Sequence, residues 1–61
     1  MQRILTQGNR AVVINVDGWR VWANLYVNAR DGIEHADITK TSWTGRSMAS
    51  AERWAAKQLA D

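Results

Sequence analysis

"VDGWRVWANLYVNARDGI", Val16 to Ile33, carries two Asp-Gly signals around one alternating segment, and the fold is read from it. Asp-Gly between alternating residues predicts a two-residue type I′ hairpin turn, whose two central positions both need positive φ. Between the turns, Trp19 to Arg30 divides by parity. Trp19, Val21, Ala23, Leu25, Val27 and Ala29 suit a core, whereas Arg20, Trp22, Asn24, Tyr26, Asn28 and Arg30 suit neither a core nor an ordinary wet surface.

Two tight turns set the registers by counting. The first places Val16 opposite Trp19, Ile14 opposite Val21 and Val12 opposite Ala23. The second places Val27 opposite Ala36 and Leu25 opposite Ile38. Directly opposed side chains share a face, so these residues collect on one side of the sheet. A one-residue slip would mix Leu25 with Asp37, or Val12 with Asn24. The expectation is a three-stranded antiparallel meander over Arg10–Val16, Trp19–Arg30 and Ile33–Thr44. Upstream, Gly8-Asn9 fits two outcomes: another two-residue turn, which sets Leu5 opposite Val12 in a fourth strand, or a disordered tail over residues 1–9.

The period changes in "SMASAERWAAKQLAD". Met48, Ala51, Ala55 and Leu59 form one helical stripe, with Trp54 and Gln58 at its margin and Arg53 and Lys57 opposite. Ser47 is the expected N-cap, and "TGR" the connector. A helix with one apolar stripe must cover the apolar face of the sheet, and Ala23, Ala36, Ala51 and Ala55 would allow a close approach. The expected class is therefore α+β: one small domain, with the sheet over 10–44 and a C-terminal helix over 47–60 packed on one face.

Composition narrows the function classes. The chain has 61 residues, no Cys, no Pro and four Trp, with a net charge of +2. Without Cys there are no disulfides and no Cys-based zinc sites, which favours an intracellular, cytoplasmic setting. No apolar run is long enough to cross a bilayer, and "MQRILTQGNR" lacks a signal-peptide pattern. Four tryptophans exceed what so small a core hides.

By the same registers the other face pairs Val13 with Trp22, Asn15 with Arg20, Asn28 with His35 and Tyr26 with Asp37. It continues with Asn24 beside Thr39, Trp22 beside Thr41 and Arg20 beside Trp43. As a merely solvated face it would have Arg20 stacked on Trp22 or Trp43. Such faces are usually richer in Lys and Glu, however, and the one strand lysine, Lys40, points to the helix side in this register. The face therefore reads as a recognition surface.

Two partner classes fit it. For nucleic acid, DNA foremost, Arg pairs with guanine, Asn with adenine, and Thr or Tyr with phosphate, while aromatics stack on single-stranded bases. A three-stranded sheet, alternating Arg and Trp on its open side and an Ala-rich "SAERWAAKQLA" helix resemble the AP2/integrase-type DNA-binding domain over Arg10 to Ala60. That resemblance implies a sheet entering the major groove, with Arg20, Trp22, Arg30 and Trp43 as contact residues. For a protein partner, Val13, Trp22, Tyr26, Ile33 and Trp43 rimmed by Asn and Thr fit a sheet-on-sheet homodimer or a small stoichiometric inhibitor. Chains of this size are common among phage and plasmid regulators.

Catalysis finds little support. His35, Asp37 and Tyr26 share the open face on this register, but a His and an Asp two residues apart on a strand stand in no pocket. His35, Asp37 and Glu34 are too few for a metal site, because Glu34 points the other way, to solvent or toward Arg53 or Lys57. Neither a cofactor nor a small-molecule substrate is implied, and the chain reads as a non-enzymatic binding protein. Arg46, Arg53 and Lys57 form a separate basic set on the helix side.

Overall fold

The computed structural model describes residues 1–60. Its elements are β1 (Gln2–Gln7), β2 (Arg10–Asp17), β3 (Arg20–Val27), a 3-10 turn (Ile33–His35), β4 (Asp37–Gly45) and α1 (Met48–Leu59). The strands form one antiparallel sheet in the order β1-β2-β3-β4, so the N-terminal segment is a fourth strand with Leu5 opposite Val12.

Both tight hairpins share one device. Gln7 pairs with Arg10 and Asp17 with Arg20, so the two-residue turns are Gly8-Asn9 and Gly18-Trp19. Gly8 and Gly18 have φ of 61° and 64°, while Asn9 and Trp19 stay at negative φ. One positive φ, at the first central position, is the pattern of a type II′ turn. The turn expected at Asp17-Gly18 therefore sits one residue downstream, and Val16 lies opposite Val21, Ile14 opposite Ala23 and Val12 opposite Leu25. This two-residue change of register leaves every side chain of β2 and β3 on its expected face. Trp19 is the exception. It lies in the turn, 66% exposed, and not in the core.

The second connection departs further. Asp31-Gly32 is not a tight hairpin, and residues 28–36 form a longer loop. Asn28 ends β3 in the left-handed region at φ 59°, a conformation Asn tolerates better than most side chains. It donates from Nδ2 to Asp37 Oδ2 at 2.7 Å and accepts from Asn9 Nδ2 at 3.4 Å. Asn9 also accepts from the backbone N–H of Ala29 at 3.0 Å and of Arg30 at 3.2 Å. The first turn thus captures the loop. Gly32, at φ 117° and ψ 156°, adopts a conformation essentially reserved for glycine and leads into the 3-10 turn.

Consequently β4 starts at Asp37 instead of Ile33, and its pairing is one residue out from the expected register. Val27 lies opposite Asp37 and Tyr26 opposite Ile38. Further along, Thr39, Lys40 and Thr41 face Leu25 alone, a two-residue bulge after which Asn24 meets Ser42 and Ala23 meets Trp43. Thr39 holds the bulge, donating from Oγ1 to Leu25 O at 2.9 Å and accepting from Thr41 N–H at 3.1 Å. Odd-register slippage inverts a strand's faces. Trp43 therefore packs on the core, and Ile38, expected inside, is 60% exposed on the open face.

Val12, Ile14, Val21, Ala23, Ala51, Ala55 and Leu59 form the core, with Leu5, Val16, Leu25, Trp43, Met48 and Trp54 packed around it. Ala23, Ala51 and Ala55 are fully buried where α1 crosses the sheet, whereas Ala36 lies in the loop and takes no part. Ser47 caps α1, accepting on Oγ from Ser50 N–H at 3.2 Å. Arg3 pairs with Glu52, and Arg10 donates to Gln58 O at 3.1 Å, placing a cation near the helix C-terminus, where the dipole favours it. Glu34 is exposed in the 3-10 turn, and its carboxylate lies by Gly32 with neither Arg53 nor Lys57 as partner.

The six-membered ring of Trp43 lies against Gly45. A Cβ at Gly45 would stand 2.6 Å from Trp43 Cη2, closer than atoms approach. Gly45→Ala must therefore dislodge an indole that completes the core. A loss of about 1–3 kcal/mol is expected by urea unfolding, together with a changed near-ultraviolet signal.

Candidate functional site

The open face is assembled by alternate residues of four strands. Gln2, Ile4 and Thr6 of β1 lie beside Asn15, Val13 and Ala11 of β2; these face Trp22, Asn24 and Tyr26 of β3, followed by Thr44, Ser42 and Ile38 of β4. Ala11 and Val13 are buried although no helix packs on this face. This middle strip carries no charge.

The charge lies at one end. There the Gly18-Trp19 turn approaches the end of β4, and Trp19, Arg20, Val21, Trp22, Thr44, Gly45 and Arg46 line a cavity of about 310 Å³. The Arg46 guanidinium carbon stands 4.9 Å from the centroid of the Trp19 ring, and that of Arg20 stands 5.9 Å from Trp22. Both distances are within cation–π range, the second at its limit. Arg20 on Trp22 is the contact expected of a solvated face; Arg46 on Trp19 is not. Among the described residues neither guanidinium has a carboxylate partner, although Asp17 is the cross-strand neighbour of Arg20. The site thus combines two indoles, two cations that rest on them without a carboxylate partner, and the Thr44 hydroxyl.

Of the residues singled out in the sequence, Arg20, Trp22, Asn24 and Tyr26 share the open face, with Arg20 and Trp22 in the cavity wall. Asn28, Arg30 and His35 lie in the 28–36 loop at the opposite end of β3, where Asn28 braces the turn. Thr39 and Thr41 belong to the bulge, and Thr39 is spent on Leu25 O. Trp43 is a core residue. Ile33 is in the 3-10 turn and Trp43 beneath the sheet, so neither joins Val13, Trp22 and Tyr26. Asp37 is engaged by Asn28, His35 lies in the 3-10 turn and Tyr26 pairs with Ile38, so the strand register that set His35, Asp37 and Tyr26 side by side is not formed. Lys40 sits in the bulge, outside the regular alternation that pointed it toward the helix.

Trp19 and Arg46 are the site residues that parity missed. The available signal was the Gly before Trp19: a type II′ turn puts glycine first and exposes the residue after it. Comparison with family models, curated proteins and solved structures found no match.

Proposed function

We propose that this chain is a non-enzymatic binding protein whose ligand is nucleic acid, engaged as a single strand at the Trp19–Arg20–Trp22–Arg46 end of the sheet. One observation carries the reading: two indoles and two unpaired guanidinium groups surround one cavity. A nucleotide presents a π face and, a few ångströms away, a phosphate. Stacking on an indole and pairing with Arg answer those two features. A small accessory or regulatory role, at home on a phage or plasmid and in the cytoplasm, accords with the size.

Duplex binding, which the AP2/integrase resemblance implies, asks for cations along the strands. Of its four counterparts only Arg20 and Trp22 are on the open face. Single strands are therefore favoured over the major groove.

A second reading has its own observation. The uncharged strip with Ile4 and Ile38 exposed suits a protein partner, as a sheet-on-sheet homodimer or as an inhibitor of another protein. Titration into a fluorescein-labelled mixed-sequence oligonucleotide, followed by anisotropy, separates the two. The nucleic-acid reading predicts saturable binding to the single strand and weaker binding to its duplex. A flat titration with both would overturn it in favour of a protein partner.

A further inference from the structure

The two edges of the sheet differ. β4 carries the devices that keep an edge from pairing: a two-residue bulge, Lys40 within it, and the Asp37 carboxylate tied to Asn28. β1 has none of these. It pairs with β2 without interruption from Gln2 to Gln7, contains no Pro or Lys, and its one charge, Arg3, is matched by Glu52 on α1.

The outward-facing groups of β1 follow from its ladder. Met1 and Val16 exchange both backbone bonds, at 2.8 and 3.1 Å. In an antiparallel pair such exchanges recur every second residue, so Arg3, Leu5 and Gln7 also bond toward β2. Gln2, Ile4 and Thr6 therefore direct their N–H and C=O groups away from the sheet. Their side chains stand on the open face.

We infer that β1 is a self-association edge whose occupant is a second copy of this chain, pairing β1 with β1 antiparallel about a two-fold axis through Ile4. Symmetry restricts the geometry. An antiparallel pair of identical strands within one sheet requires an axis perpendicular to the sheet, which keeps both helices on the same side. Opposed residues must then share a face, and centring on Ile4 sets Ile4 against Ile4 and Gln2 against Thr6 twice. All six outward backbone groups find partners. No like charges meet, because Arg3 falls opposite Leu5 and is already held by Glu52. The product is a continuous eight-stranded sheet with both open faces, and both Arg–Trp ends, on one surface. This inference does not depend on the nucleic-acid reading, and its test uses the protein alone.

Sedimentation analysis from about 1 µM to about 1 mM spans ordinary interface affinities. A concentration-dependent monomer–dimer equilibrium is expected. Gln2→Lys with Thr6→Lys opposes lysine to lysine at two positions across the axis. In either chain these positions are about 13 Å apart. Dimerisation should weaken about tenfold or more with an unchanged circular dichroism spectrum, and Gln2→Lys with Thr6→Glu should restore it. Ile4→Pro removes an N–H that the monomer does not use and should also yield monomer. A monomer at every concentration would overturn the inference. So would a dimer indifferent to all three variants, which would point to packing through the open face.

Discussion

Replacing Trp19 and Trp22 together by alanine is expected to weaken single-stranded oligonucleotide binding at least about thirtyfold while leaving the fold intact. Base stacking on an aromatic side chain contributes about 1–3 kcal/mol per base, and both indoles border the same cavity. The fold should survive because Trp19 is 66% exposed in a turn and Trp22 stands on the face that no helix covers. Trp43 and Trp54, which pack against the core, are untouched. Anisotropy measures the loss and far-ultraviolet circular dichroism the fold. Unchanged affinity in a folded double variant would remove the indoles from the site.

Ile14→Ala is expected to cost about 2–5 kcal/mol, the usual range for emptying a fully buried aliphatic position. Ile14 lies between Arg3 of β1 and Ala23 of β3, beneath α1. Its neighbours Ala23, Ala51 and Ala55 are too short to fill the void. A domain of this length is typically stable by only about 3–9 kcal/mol, so the variant should be partly unfolded at 37 °C or lose roughly 10–30 °C in melting temperature. Calorimetry or thermal circular dichroism reads this. A shift of only a few degrees would place Ile14 outside the core.

The sequence was most informative where a strong local rule acted on short range. At Gly8-Asn9 turn chemistry left a hairpin and a disordered tail both open, but the existence of the β2–β3 hairpin, the faces of those strands, the Ser47 cap and the Met48, Ala51, Ala55, Leu59 stripe follow from turn chemistry or periodicity. The exact turn residue did not. Asp-Gly suggests type I′, whereas the glycine serves as the first residue of a II′ turn, and that single step moved Trp19 from core to surface.

The path from β3 to β4 was not readable in the same way, because long-range contacts determine it. Asn9, in a different hairpin, draws Ala29 and Arg30 toward itself, and Asn28 takes the left-handed conformation that ends β3. The added loop residues invert β4, carrying Trp43 inward and Ile38 outward. Thr39's bond to Leu25 O then absorbs two further residues. No periodicity within β4 itself records any of these contacts. The candidate site was accordingly half visible: Arg20 and Trp22 from alternation, Trp19 and Arg46 only once the turn had met the end of β4.

The salt dependence of oligonucleotide binding counts the phosphates that the two arginines of the site neutralise. Each phosphate neutralised on a single strand contributes a slope of about −0.7 in log K against log salt. With Arg20 and Arg46 as the two cations of the site, the wild-type slope should be about −1.4, and Arg46→Ala should reduce it to about −0.7. Absent binding, or a slope that Arg46→Ala leaves unchanged, would contradict nucleic-acid recognition at this end of the sheet.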